Sequence, residues 1–325
     1  MALASTTLVD RLRSGDTRAL ARAISTVENR QPGWTELLKA LFPHTGKARV
    51  IGLTGAPGSG KSTLVDQLAK HYRKKEENQT VGIIAVDPTS PYTGGAILGD
   101  RIRMQDHHGD PGIFIRSMAT RGSLGGLARA TADAATVLDA SGRDVVMIET
   151  VGVGQDEVDI VRLADATIVI LVPGMGDDVQ TIKAGIMEIA DIFVINKSDR
   201  DGAERVEREI RTMQSLAMRT RDDRWTPPIV KTVASEGVGT EELAKAIADY
   251  EAYLKKGNLV FKKNVENWRE RLVEMLRDAM LEKARAQMDG GSLERYAAEI
   301  AEHKRDPYSL VEKLVEEIAR PVKPT

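Results

Sequence analysis

Two hydrophobic periodicities divide the chain. Between about residues 49 and 258, short apolar runs alternate with longer stretches in which apolar side chains return every three or four positions. The runs are 50–54, 81–86, 113–115, 145–148, 166–172, 192–195 and 229–233; the helical stretches include 62–75, 124–138 and 241–254. Runs that are apolar at consecutive positions suit strands buried on both faces, as in a parallel sheet. Their alternation with helices predicts an α/β fold, a doubly wound and mostly parallel sheet. Ligands of such sheets bind at the carboxyl ends of the strands, so the residues directly after each run are where chemistry is expected.

The flanks read differently. Leu8 and Leu12, then Leu20, Ile24 and Val27, recur at helical spacing, with Asp16 placed to cap the second helix. Pro32 and Gly33 break the pattern, and Leu37, Leu38 and Leu41 suggest a short third helix ending near Pro43. Beyond about residue 260 the strands stop. Val265, Trp268, Leu272, Leu276 and Met280 form one helical stripe; Ser292 is expected to cap a shorter helix, and Asp306 with Pro307 to open a last one. The organisation expected is a helical N-terminal extension (1–45), an α/β domain (46–258) and a helical C-terminal arm (259–325). The arm cannot bury its stripes on itself: it either packs on the α/β domain or pairs with a second copy.

Composition narrows the partners. A net charge of −2 and an aromatic content of 4% provide neither the basic surface nor the stacking platform of a nucleic-acid binder, and no attraction to an anionic membrane. With no cysteine, disulfides, thiolate catalysis and cysteine-ligated zinc are excluded. The apolar runs are of strand length, too short to cross a bilayer as a helix, and residues 1–10 lack the features of a secretory signal. A cytoplasmic protein is the expectation.

The first run leads into Gly55, Ala56, Pro57, Gly58, Ser59, Gly60, Lys61 and Ser62, a match to G-x-x-x-x-G-K-[ST] between a strand and a helix. Glycines let backbone N–H groups turn inward around phosphates, and the helix that follows adds its N-terminal dipole. Lys61 is placed to bridge the β- and γ-phosphates, Ser62 to ligate Mg²⁺, and Thr63 to donate to a phosphate. The sixth run leads into Asn196, Lys197, Ser198 and Asp199, which resembles the N-K-x-D guanine-specificity motif of GTPases. A carboxylate at Asp199 can accept hydrogen bonds from guanine N1–H and its exocyclic amine, donors that adenine does not offer together. Lys197 is placed over the purine face and Asn196 between this loop and the phosphate loop. After the last run, a backbone N–H of Ala234 or Ser235 is placed to meet guanine O6. Bound GTP or GDP is therefore expected, with Mg²⁺.

Three acids are candidates for the metal. Glu149 ends the fourth run in E-T-V-G, where small GTPases carry D-x-x-G; the extra methylene suggests contact through water, with the Gly152 N–H near the γ-phosphate. Asp87 ends the second run, and Asp100 lies in the Gly-rich segment 94–101. Mg²⁺ takes few protein ligands and keeps several waters, so direct binding by all three is not expected. Gln155 lies too far from Gly152 to be a clear positioner of water, and His107 and His108 read as a solvated pair rather than metal ligands.

In order, G-A-P-G-S-G-K-S, V-D-P-T-S-P, G-G-A-I-L-G-D-R, E-T-V-G-V-G-Q, P-G-M-G-D-D-V-Q-T-I-K-A-G and N-K-S-D resemble the MeaB family, the bacterial counterparts of the human methylmalonic aciduria type A protein. The resemblance covers nearly the whole chain. It implies a metallochaperone-type P-loop GTPase that serves adenosylcobalamin-dependent acyl-CoA mutases, chiefly methylmalonyl-CoA mutase. Such proteins gate cofactor loading and protect or reactivate the mutase. It also implies a homodimer formed through the C-terminal arm, and a third switch at 172–183 in which Asp177 and Lys183 match the positions that couple nucleotide state to the mutase. Two other classes fit the residues less well. An ATP-using kinase is opposed by the N-K-x-D motif, and a nickel-insertion GTPase by the lack of cysteines and the five scattered histidines.

Overall fold

The computed structural model describes residues 2–74, 78–87, 109–119, 126–150, 163–174, 189–217, 225–288 and 291–319. Seven strands, β1 (Arg49–Gly55), β2 (Val81–Asp87), β3 (Ile113–Ala119), β4 (Val145–Glu149), β5 (Ala166–Leu171), β6 (Ile192–Asn196) and β7 (Ile229–Thr232), form one sheet in the order β3-β2-β4-β1-β5-β6-β7. Every pairing is parallel. The predicted doubly wound sheet is therefore present; β1 begins one residue earlier than expected, the other strands begin where expected, and the carboxyl ends lie one to four residues from those expected. β3 differs most: the apolar run marks only its first half, and Arg116 and Ser117 continue it into polar positions.

Residue parity along the strands assigns the two faces. Ile51, Leu53, Ile83, Met147, Ile170 and Val194 point to one face and pack on α4 (Lys61–Lys74) and α7 (Thr240–Lys256). Ile84, Val86, Val146 and Ile148 point to the other, under α5 (Gly126–Ala140) and the N-terminal helices α1 (Ala2–Arg13), α2 (Thr17–Glu28) and α3 (Trp34–Leu41). Further along that face, Val169, Leu171, Phe193 and Ile195 meet α6 (Ala203–Ala217). Residues Met1–Gly257 form a single compact unit, and the N-terminal helices share a core with the sheet. Asp16 caps α2, accepting from the backbone N–H groups of Arg18 and Ala19; those bonds, with Arg11, hold its carboxyl below its ordinary pKa. The Arg116 guanidinium pairs with Glu28, joining α2 to β3.

Aspartates set the register at the amino ends of the strands. Asp144, Asp165 and Asp191 each immediately precede a strand and accept a backbone N–H from its neighbour: Thr80 at 2.7 Å, Val50 at 2.8 Å and Thr167 at 2.9 Å. A one-residue slip would turn every side chain to the wrong face, and each carboxylate opposes that slip. Near the same edge Arg143 is buried and donates to the Gly112 carbonyl at 2.8 Å; burial lowers its pKa.

The second unit, Asn258–Thr325, contains α8 (Leu259–Gln287), α9 (Ser292–Ala301) and α10 (Pro307–Ala319). Ser292 is the first residue of α9 rather than its cap; Gly291, in the left-handed region, precedes it without a side-chain cap. Asp306 accepts the Ser309 N–H at 2.9 Å and opens α10 as expected. Ala284 and Leu310 are buried, but Phe261, Val265, Leu272 and Leu276 stay exposed along α8. Among the described residues no helix is long and apolar enough to cross a membrane.

The Asp139 carboxylate accepts three consecutive backbone N–H groups, Gly46 at 2.5 Å, Lys47 at 3.1 Å and Ala48 at 2.9 Å. It thereby pins the segment leading from α3 into β1. Replacing Asp139 with alanine orphans all three donors and should cost ~2–4 kcal/mol in urea unfolding at neutral pH, with Asp139→Asn costing less. An alanine variant within about 0.5 kcal/mol of the parent would show that the clamp carries no stability.

Candidate nucleotide site

The first loop of the site fills the turn between β1 and α4. Two of its glycines are dictated by space as well as by conformation. At Gly55 a Cβ would sit 2.3 Å from the Ile170 carbonyl oxygen on β5, and at Gly60, where φ is +93°, it would sit 2.2 Å from Asn196 Nδ2. β1 is followed by β2 on one side of the sheet, whereas β5 is followed by β6 on the other. The loop therefore lies at the point where the winding reverses, which is where ligands of open α/β sheets bind.

Inside the loop Lys61 is 6% exposed, and its ammonium donates to the Gly55 carbonyl at 2.7 Å and the Ala56 carbonyl at 3.0 Å. An anion in the loop would compete with those two carbonyls for it. Thr63 is half-buried in the first turn of α4. Ser62 Oγ donates to Glu149 Oε1 at 2.6 Å, both side chains being buried. Strand parity explains the contact: Glu149 follows Val145 and Met147, which face α4, and is paired in register with Leu53. Its longer side chain reaches the Ser62 hydroxyl directly. Hard oxygen donors of this kind suit Mg²⁺.

The second loop leaves β6. Asn196 Nδ2 donates to the Ser59 carbonyl at 2.7 Å, and its Oδ1 accepts from Thr232 Oγ1 at 3.0 Å and from the Ala234 N–H at 3.1 Å. Lys197 has a left-handed backbone, φ +55°, and its ammonium donates to the Gly58 carbonyl at 2.8 Å. Ser198 N–H donates to the Thr232 carbonyl at 3.1 Å. Asp199 is exposed and has no hydrogen bond or ion pair with any described residue. Of the two residues assigned to a purine oxygen, Ala234 has its N–H committed to Asn196, whereas Ser235 is exposed beside it.

The structure thus gathers Lys61, Ser62, Glu149, Asn196 and Lys197 around one loop, with Asp199 and Ser235 on the loops beside it. Of Asp87 it describes the backbone, which ends β2 opposite Ala119. Asp100, Gly152, Gln155, Asp177, Lys183, His107 and His108 lie outside the described residues. Two threonine contacts were not foreseen: the Thr232 hydroxyl on Asn196, and a buried bond from Thr150 Oγ1 to Thr54 Oγ1 at 3.2 Å. Their only sequence signal is a threonine at the end of a buried strand or directly after one.

A glycine-rich turn from a central parallel strand into a helix, a buried lysine within it and an acid on the neighbouring strand define a P-loop nucleotide-binding protein. Residues 20–289 match the family model described as methylmalonyl-CoA mutase-associated GTPase MeaB. A protein of Pyrococcus abyssi, described as a candidate GTPase, is 49% identical over 312 residues, 96% of each chain. The GTPase ArgK of Escherichia coli is 40% identical over 252 residues, 76% of each chain. The mitochondrial methylmalonic aciduria type A homolog of Mus musculus is 34% identical over 290 residues, 82% of this chain and 69% of its own. Among solved structures, one titled LAO/AO transport system kinase is 29% identical with a TM-score of 0.70, covering 97% of this chain and 98% of its own. The chain belongs to the MeaB family of GTPases.

Gly60 offers a direct test of the geometry. Gly60→Ala places a methyl on Asn196 Nδ2 and should break its bond to the Ser59 carbonyl, lowering affinity for a fluorescent GDP analogue by about tenfold or more. Unaltered affinity would mean that the two loops are not held together through this contact.

Proposed function

We propose that this GTPase is a chaperone of an adenosylcobalamin-dependent acyl-CoA mutase, with methylmalonyl-CoA mutase as client, and that it gates cofactor loading and protects or reactivates that enzyme. The observation that carries the client is the family match across residues 20–289, whose description names mutase association. The similarity to the mouse methylmalonic aciduria type A homolog supports it.

In this reading the phosphate loop, Gly55 to Thr63, wraps the phosphates, and Lys61 leaves the Gly55 and Ala56 carbonyls for the β- and γ-phosphate oxygens. Ser62 would ligate Mg²⁺ through its hydroxyl oxygen, and Glu149 would accept the Ser62 hydroxyl proton and orient a water at the metal. Asp87, Asp100 and the Gly152 N–H contribute to the same centre. When bound, Mg²⁺ neutralises charge between the β- and γ-phosphates. Asp199 accepts from guanine, Lys197 covers the ring and the Ser235 N–H meets O6. Asp177 and Lys183 transmit the nucleotide state to the mutase, whose docking orders the catalytic groups and speeds an intrinsically slow hydrolysis. The exposed α8 stripe of Phe261, Val265, Leu272 and Leu276 supports a homodimer, because a second copy would remove these side chains from water.

Asp199→Asn should weaken GDP binding about tenfold or more, since it removes a charged acceptor; unchanged affinity by calorimetry would overturn the base assignment. GTP turnover should rise strongly when methylmalonyl-CoA mutase is added. Lys183→Ala should keep the basal rate and lose most of that stimulation. Turnover indifferent to the mutase would remove it as client, and an equal fall in both rates would move Lys183 into the basal active site.

A further inference from the structure

Thr150 lies directly after the acid that meets Ser62, yet its side chain has no part in holding the phosphates, the base or the metal in the proposed mechanism. β1 and β4 are paired in parallel up to Leu53 and Glu149. Thr150 N–H then donates to the Leu53 carbonyl at 3.1 Å, adding one more rung. On that added rung the two next side chains meet: Thr150 Oγ1 donates to Thr54 Oγ1 at 3.2 Å. Thr54 is 1% exposed and Thr150 2% exposed, so the bond is shielded from water.

Alternation along a strand gives this bond its consequence. Odd-numbered β4 residues face α4, so Glu149 points to Ser62, while Thr150 belongs to the opposite face with Val146 and Ile148. A rotation of the strand end would move the two neighbouring side chains together. The hydroxyl bond behind the sheet therefore resists the rotation that would draw the Glu149 carboxylate off Ser62 in front of it. We infer that Thr150 is a positioning residue for the metal centre: its hydroxyl, bonded to Thr54, holds the Glu149 carboxylate against the Ser62 hydroxyl. Thr54 is the last residue before the phosphate loop proper, so the same bond ties the acid to the root of that loop.

The inference rests on the assignment of Ser62 and Glu149 to Mg²⁺, and the test separates the two. The GDP dissociation constant is measured by calorimetry on the full chain, once with excess Mg²⁺ and once with EDTA. The ratio reports how well the protein and nucleotide hold the metal, independently of turnover. Thr150→Val keeps shape and burial but removes the hydroxyl, and should reduce the Mg²⁺-dependent gain in GDP affinity by about five- to tenfold while leaving the value in EDTA within about twofold. Thr150→Ser should restore the parental gain. Thr54→Val, which removes the acceptor, should reproduce Thr150→Val and serves if that variant does not fold. A parental gain in either valine variant, or a serine variant as defective as valine, would overturn the inference. Glu149→Gln is the control. If it too leaves the gain unchanged, the Mg²⁺ assignment fails; if it abolishes the gain while the valine variants keep it, only the role of Thr150 fails.

Discussion

The site depends on one buried amide. Asn196 is the last residue of β6, and its side chain satisfies three groups on two other loops: the Ser59 carbonyl of the phosphate loop, the Thr232 hydroxyl at the end of β7 and the Ala234 N–H beyond it. A buried carbonyl or N–H left without a partner costs about 1–3 kcal/mol, so these loops are stable in this arrangement only while the amide is there. A leucine of similar size would orphan all three at once, and an aspartate would lose the donor to Ser59. Asparagine is the one short side chain that offers a donor and an acceptor from a single rigid plane. Gly60 is the complementary requirement, because any side chain there would occupy the volume of the amide.

That amide can act as a hub only because the strand beneath it does not slide. β6 is anchored at its other end by Asp191, whose carboxylate accepts the Thr167 N–H, and the Trp225 indole donates to the Asp191 carbonyl at 2.7 Å. Asp165 and Asp144 do the same for β5 and β4. The molecule thus separates its tasks by strand end: carboxylates at the amino ends fix register, and polar side chains at the carboxyl ends bind the loops of the site to one another. The hydrophobic faces between them transmit register from one end to the other, since close-packed side chains permit no intermediate slip.

Much of this was legible in the residues alone, for a physical reason. The strands carry apolar side chains at consecutive positions because both faces are covered; a strand with one wet face would instead alternate apolar and polar residues. The phosphate loop and N-K-x-D were readable because their chemistry demands fixed residue types at fixed spacing. The sequence did not reveal that the N-terminal helices complete the core over β2 and β4, because helical periodicity shows that a face is apolar but not what it meets. It also did not reveal that the Ala234 N–H is already committed to Asn196, or that Thr54 and Thr150 meet; both contacts depend on register across non-neighbouring segments. Ser292 was misread for a related reason: a serine before an apolar run resembles a cap, but Gly291 reaches the left-handed backbone needed at that turn at no steric cost, and Ser292 falls one position inside the helix.

The same geometry argues that base recognition and phosphate binding are not independent. The loop that presents Asp199 touches the phosphate loop twice, through Asn196 to the Ser59 carbonyl and through Lys197 to the Gly58 carbonyl. Those carbonyls are oriented outward from the same turn whose N–H groups must point inward around a phosphate. Holding the carbonyls therefore also aims the amides, because the peptide plane is rigid. Each of these bonds contributes about 1 kcal/mol, or more where the ammonium is the donor. Each is made before any ligand arrives, so the preorganisation reduces the entropy that binding must otherwise overcome.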